Sequence, residues 1–222
     1  MESRTEYRIN VWDWPVRIVH WAMVLATAVL FISVNQGWMQ LHFYAGYSLS
    51  ALLVFRLIWL FVGTRYARLS GFNLSFKGFF GQLNALIVGR ALPFVGHNPA
   101  GAVMVLVLLG VLSLQIASGL FYTDDVFWFG PFFFDAPAWA QDAATWLHPR
   151  LPPLIILFIV THILAVLYHK VRFKEALVSA MIHGQKKATR RDAGREPVNR
   201  IWLMLSLVAA LGWLGWLFTL EI

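Results

Sequence analysis

Five long apolar runs decide what this chain can become: residues 16–34, 41–63, 101–122, 151–169 and 200–220. About 20 apolar residues suffice for a helix to cross the hydrocarbon core of a bilayer. Backbone N–H and C=O groups find no water there, so each run must close its own hydrogen bonds as a helix. The chain is 59% hydrophobic and only 13% charged, which excludes an ordinary soluble domain. The expected fold is all-α, an integral membrane helical bundle. With 11 Trp, 18 Phe and 6 Tyr the chain has ample material for interfacial aromatic belts.

Charge supplies the topology. Lys and Arg fall before the first run, between the second and third, and between the fourth and fifth, while residues 35–40 and 123–147 carry none. The positive-inside rule then places the N-terminus in the cytoplasm and the C-terminus outside. The net charge of +7 sits in these short segments, so it speaks for orientation and against a nucleic-acid partner. Residues 1–13 are polar and are expected at the membrane surface, with no removable signal peptide. Asp13 suits an N-cap, with Pro15 in the first turn behind it. In the long connection 64–100, Phe76, Phe79, Phe80, Leu83, Leu86 and Ile87 recur at helical spacing. They suit a short amphipathic helix, either in the interface or packed on the bundle.

Cysteine is absent. That excludes disulfides, thiolate zinc sites, cysteine-ligated iron–sulfur clusters and covalent C-x-x-C-H haem. Any redox cofactor must be held by other ligands, and the apolar runs contain histidines. The expected helix directions put His42 and His148 near the outer face and His20 and His162 near the inner face. Two histidine pairs at two depths suit bis-histidine haem, whose iron takes axial nitrogens from opposite sides. A zinc or copper site needs ligands converging on one point, which two separate levels do not offer. On an ideal continuous helix His148 and His162 share a face, about 21 Å apart. Pro152 and Pro153 restrict where that helix begins, which sets the ideal geometry of His148 in question. His169 shares the same face and competes with His162 for the inner position, although Lys170 and Arg172 suit it to the headgroup level. Arg56 lies fourteen residues after His42 and Arg17 one turn before His20. Either arginine suits a haem propionate, or snorkelling to the headgroups. His97 heads the third run and His183 lies in the basic stretch, neither with a role of its own.

The segments VWDWPVRIVHW, LHFYAGY, FRLIWLFVGTRYARLSGF, GHNPAG, TDDVFWFGP and KEALVSAMIHGQKK come in this order along the chain. Together they resemble the bacterial di-haem cytochrome b561 family, which includes the cytochrome b subunits of membrane hydrogenases and formate dehydrogenases. The resemblance spans Val11 to Lys187. It implies two b-type haems in a four-helix core, ligated by His20, His42, His148 and His162, in a bacterial inner membrane. It also implies electron transfer between quinone and a redox partner. The chain departs from the family in having Pro149 after His148, where an acidic residue is common. The fifth run extends beyond the four-helix core of smaller members, so residues 1–187 are expected as the di-haem unit and 188–222 as a basic connection and extra helix. Three functions remain open: an electron carrier, a stand-alone quinone oxidoreductase acting on a small donor such as superoxide, and a non-redox anchor or transporter. Asp124, Asp125, Asp135 and Asp142 form an acidic outer loop that suits docking of a basic periplasmic c-type cytochrome, and equally suits an ordinary external loop.

Overall fold

The computed structural model describes residues 7–90, 94–188 and 196–220. A short strand β1 (Tyr7–Asn10) leads into helix α1 (Trp14–Gln36), which folds back as α2 (Met39–Val62). The connection carries α3 (Phe76–Ile87) and leads to α4 (Pro99–Leu120). Then come α5 (Ala138–Leu147), α6 (Pro152–Arg172), α7 (Leu177–His183), strand β2 (Gln185–Ala188) and α8 (Arg200–Leu217). Helices α1, α2, α4, α6 and α8 are long and apolar enough to cross a membrane. They correspond to the five apolar runs, and the amphipathic segment in the long connection is helix α3.

Helix α2 is the centre of the bundle. Over half of its membrane-length window is buried (56%), against 11–17% in the other four. It packs on α1, α4 and α8, while α6 packs on α4. Leu49 and Leu53 of α2 meet Leu109 and Leu112 of α4 and Ile155 of α6. Phe55 and Trp59 of α2 meet Val16 and Val19 of α1 and Ala210 of α8. Lipid tails are as apolar as leucine, so these contacts act by close packing rather than by escape from water. The small residues Ala51 and Ala210 let the backbones approach. Trp213 on α8 adds a hydrogen bond from Nε1 to Ser50 Oγ of α2, at 2.9 Å. Outward-facing side chains such as Leu25, Phe61, Leu164 and Val208 are exposed, as hydrocarbon-facing positions should be.

Asp13 ties one end of this bundle together. Its Oδ1 accepts the Val16 N–H at 2.8 Å and so caps α1. Its Oδ2 accepts from Trp59 Nε1 at 3.0 Å and from Thr64 Oγ1 at 2.6 Å, both at the far end of α2. At the other end of the hairpin Gly37 takes φ 71°, the left-handed conformation that closes α1 over Ser33 and Val34.

Two features differ from the sequence reading, and a third settles the question that Pro152 and Pro153 raised about His148. Residues 7–10 are not merely a polar surface segment: they pair antiparallel with Gln185–Ala188, Tyr7 facing Ala188 and Asn10 facing Gln185. Two four-residue strands so far apart in sequence carry too little pattern to be recognised locally. Residues 138–147 of the acidic loop form α5, with Pro137 as its N-cap. His148 is not part of α6. It follows α5 directly, and α6 begins at Pro152, where proline loses no hydrogen bond.

The sheet lies at the Asp13 end of the bundle, hereafter the sheet end, and α5 with its loop at the opposite, loop end. Replacing Asp13 by alanine leaves the Trp59 and Thr64 donors and the first turn of α1 unmatched. Asp13→Ala is expected to destabilise the fold by about 2–3 kcal/mol, read as a lower unfolding midpoint in detergent, with Asp13→Asn losing less.

Candidate functional site

At the loop end the structure brings His42 and His148 together. His42 lies in the first turn of α2 and His148 in the turn between α5 and α6. Their ring centroids are 6.4 Å apart and the rings are perpendicular, at 89°. Each ring is anchored through Nδ1. His42 Nδ1 lies 3.2 Å from the Leu30 carbonyl and 3.3 Å from Ser33 Oγ. His148 Nδ1 lies 3.1 Å from the Gln115 carbonyl and 3.3 Å from Ser118 Oγ, and the Gln115 side-chain Nε2 lies 3.2 Å from Nδ1 and 3.4 Å from Nε2 of the same ring. A carbonyl only accepts, so Nδ1 carries the proton and Nε2 the lone pair in both rings. Metal-bound histidines are usually held this way. Burial, opposed by the hydrogen bond to Gln115, pushes His148 down to about 4, so it is neutral, the ligating form.

Two imidazoles on one metal, with bonds of about 2 Å as at zinc, place their centroids about 6 Å apart. The observed 6.4 Å is close to that separation, and also lies within the ordinary range of edge-to-face aromatic pairs. Tyr122 packs on the His148 ring at 5.1 Å. Gly119 of α4 leaves the room: a Cβ there would lie 2.7 Å from His148 Cε1.

Toward the sheet end lie His20 of α1 and Arg56 of α2, with His162 midway along α6. Here the rings lack anchors. His20 Nδ1 is buried with no partner, and among the described residues His162 makes no hydrogen bond. The Arg56 guanidinium is buried and makes one long bond, from Nη1 to the Ala67 carbonyl at 3.4 Å. Five N–H groups with so little to bind form an anion-ready donor. Arg17 is more committed: Nη1 donates to the Ile182 carbonyl at the end of α7, while its Nε is buried and unpartnered.

His169, the competitor of His162, is buried and partnered. Its Nδ1 is 3.4 Å from Glu175 Oε1, and Glu175 Oε2 is 3.2 Å from Lys186 Nζ. His183 is exposed. Asp124 spends its charge partly on its own loop, where Oδ1 accepts the N–H groups of Val126, Phe127 and Trp128 at 2.8–3.0 Å. These bonds, that of Trp128 foremost, hold its carboxyl below the usual range. No cluster of three or more His, Cys, Asp or Glu suited to a bare metal ion occurs among the described residues.

Sequence reasoning missed three groups of residues here. The anchoring carbonyls of Leu30 and Gln115 carry no side-chain signal. Gly119 is one of 16 glycines, and nothing local marks it. His97 was noted without a role. It is packed between Trp12 at 4.5 Å and Phe72 at 4.9 Å, with Nδ1 buried and unpartnered.

A histidine pair within an apolar helical bundle, its rings held by main-chain carbonyls, is an arrangement suited to a membrane cytochrome. The comparison with known families agrees: the model for prokaryotic cytochrome b561 matches residues 11–184, and the chain belongs to that family. Curated relatives include the probable Ni/Fe-hydrogenase B-type cytochrome subunit of Rhizobium leguminosarum bv. viciae, 26% identical over 80% of this chain and 88% of that protein. The corresponding subunit of Rhodobacter capsulatus is 26% identical over 82% of this chain and 83% of its own length. The probable Ni/Fe-hydrogenase 1 B-type cytochrome subunit of Escherichia coli K12 is 27% identical over 79% and 89%. No solved structure matches the chain. The chain is therefore a multi-pass membrane protein that carries haem b and transfers electrons.

Two outcomes follow from the geometry. Gly119→Ala drives a methyl group into the His148 ring, so it should lower haem content or shift the haem spectrum. Wild-type content and spectrum in this variant would contradict the packing. Burial, helped by the charges of Arg56 and Lys186, pushes His97 from 6.5 down to about 3. Unfolding then takes up a proton between these values, so stability present above pH 6.5 is lost as pH falls through that window. His97→Gln should flatten this fall in detergent unfolding midpoints between pH 6.5 and 4.

Proposed function

We propose that this protein holds two b haems, one at each end of the bundle, and passes electrons between the quinone pool and a redox partner subunit. His42 and His148 hold the iron at the loop end, His20 and His162 the iron at the sheet end. The observation that carries this reading is the 6.4 Å separation of His42 and His148, with both Nδ1 atoms turned to main-chain carbonyls. His162 is preferred to His169 because His169 is already engaged by Glu175. Haem b, when bound, supplies a reversible one-electron iron couple.

The chain's own residues do the rest. Two histidines per iron leave no open position, which suits electron transfer rather than oxygen chemistry. Buried Arg56, and Arg17 through its buried, unpartnered Nε, would supply cationic donors to the carboxylates of a haem at the sheet end. Positive charge gathers at the sheet end, so that end faces the cytoplasm and the acidic loop end faces the periplasm. The curated relatives are named as hydrogenase subunits, and a similar redox enzyme, or a basic c-type cytochrome at the acidic loop, is the kind of partner expected. Residues 1–187 form the di-haem unit. Helix α8 is an addition that seals the far side of α2.

Pyridine-haemochrome quantitation on the purified chain tests the reading. Two haems per chain are expected. His42→Ala or His148→Ala should remove one, His20→Ala or His162→Ala the other, and His169→Ala neither. One haem in the wild type, or loss in His169→Ala with retention in His162→Ala, would overturn the assignment.

A further inference from the structure

Helix α3 has three unlike faces. Phe76, Phe80, Leu83 and Ile87, spaced i, i+4, i+7 and i+11, fall in one narrow stripe along it. All four are exposed, Phe76 and Ile87 at 84%. Lys77 and Asn84, also exposed, lie roughly a quarter-turn around the helix from that stripe. Gln82, on a third face, is buried, and α3 packs on α4.

Both ends of α3 are tied to the same end of the bundle. A Cβ on Gly78, in the first turn, would lie 3.4 Å from Cγ of Pro99, the first residue of α4. At the other end Tyr168 Oη donates to the Leu86 carbonyl at 2.7 Å, and Arg172 Nη2 to the Gly89 carbonyl at 3.3 Å. Tyr168 and Arg172 belong to the last turns of α6. Helix α3 thus reaches about 18 Å, from the start of α4 to the end of α6. Its axis lies across the spans, at the level of their ends. At that level α6 still exposes Val171, and above it Leu167 and Leu164, so the hydrocarbon-facing surface reaches the depth of α3.

The charge around α3 is of one sign. Residues 64–100 carry Arg65, Arg68, Lys77 and Arg90 and no Asp or Glu. Lys170, Arg172 and Lys174 add exposed cations where α6 ends, and Glu175 beside them is engaged by His169 and Lys186. An exposed apolar stripe flanked by a polar face, lying flat where the spans end and ringed by cations, has the properties of a helix that binds in a membrane interface.

We propose that α3 is a lipid-binding element. Its stripe from Phe76 to Ile87 lies in the acyl boundary of the leaflet at the sheet end, and Lys77, Arg90 and Arg172 hold anionic phospholipid headgroups there. The long connection between α2 and α4 is thereby anchored at a fixed depth. None of this depends on the number of haems.

The chain has no cysteine, so a single introduced one can be labelled without ambiguity. Spin labels are placed on Phe80→Cys, on Asn84→Cys and, as a hydrocarbon reference, on Leu164→Cys. Each full-length variant, with a wild-type haem spectrum as proof of folding, is reconstituted into vesicles of phosphatidylcholine and phosphatidylglycerol. Electron paramagnetic resonance then measures collisions with oxygen, which concentrates among acyl chains, and with an uncharged, water-soluble nickel chelate. The label on Phe80→Cys should favour oxygen as that on Leu164→Cys does, with nickel contact at least about threefold below that on Asn84→Cys. In phosphatidylcholine alone, or with Lys77→Gln and Arg90→Gln added, its nickel contact should rise. A label on Phe80→Cys as open to nickel as that on Asn84→Cys would overturn the proposal. So would one shielded from both reagents, because a second copy or another protein would then cover the stripe. Nickel contact indifferent both to phosphatidylglycerol and to the two substitutions would overturn the role given to anionic headgroups.

Discussion

An imidazole inside an apolar bundle is costly unless both of its nitrogens are used. At the loop end the protein meets that cost fully on one side of each ring. The carbonyls of Leu30 and Gln115 take the Nδ1 protons of His42 and His148. The two ring centres stand 6.4 Å apart, with the Gln115 side-chain amide 3.4 Å from His148 Nε2. Much of the surrounding architecture serves this arrangement. The Gly37 turn folds α2 back so that His42 meets the last turns of α1, Gly119 clears space on α4, and the short α5 delivers His148 from outside α6.

The central helix α2 links the two ends. It carries His42 near one end and Arg56 near the other, and it is the most buried of the five membrane-length helices. Asp13 holds this helix to α1 through Trp59 and Thr64, so the register of the charged end is fixed by three hydrogen bonds. Helix α8 fixes it from another side through Trp213 and Ser50.

Much of this was legible in the sequence because hydrocarbon permits so few solutions. The five spans followed from apolar length alone. The Asp13 cap and Pro15 start of α1 followed from local capping chemistry, and the amphipathic spacing of Phe76 to Ile87 gave α3. The prolines at 152 and 153 already pointed to a helix start beyond His148, as found. The features that were not legible are all long-range. Pairing of Tyr7–Asn10 with Gln185–Ala188 joins segments separated by four membrane-length helices. The second role of Asp13, at the end of α2, depends on where α1 and α2 cross. The anchoring carbonyls belong to the backbone and leave no trace in residue identity. The burial of His97 between Trp12 and Phe72, and the engagement of His169 by Glu175, likewise depend on segments that meet only in three dimensions.

The central claim is that paired histidines at each end of the bundle close both axial positions of a haem iron. Low-temperature electron paramagnetic resonance of the oxidised protein addresses it most directly. Two low-spin ferric signals are predicted, without a high-spin signal, and the reduced protein should form no carbon monoxide adduct because no axial position is open. A stoichiometric high-spin ferric signal, a carbon monoxide adduct in the undamaged protein, or one low-spin signal accounting for all the iron would contradict the claim.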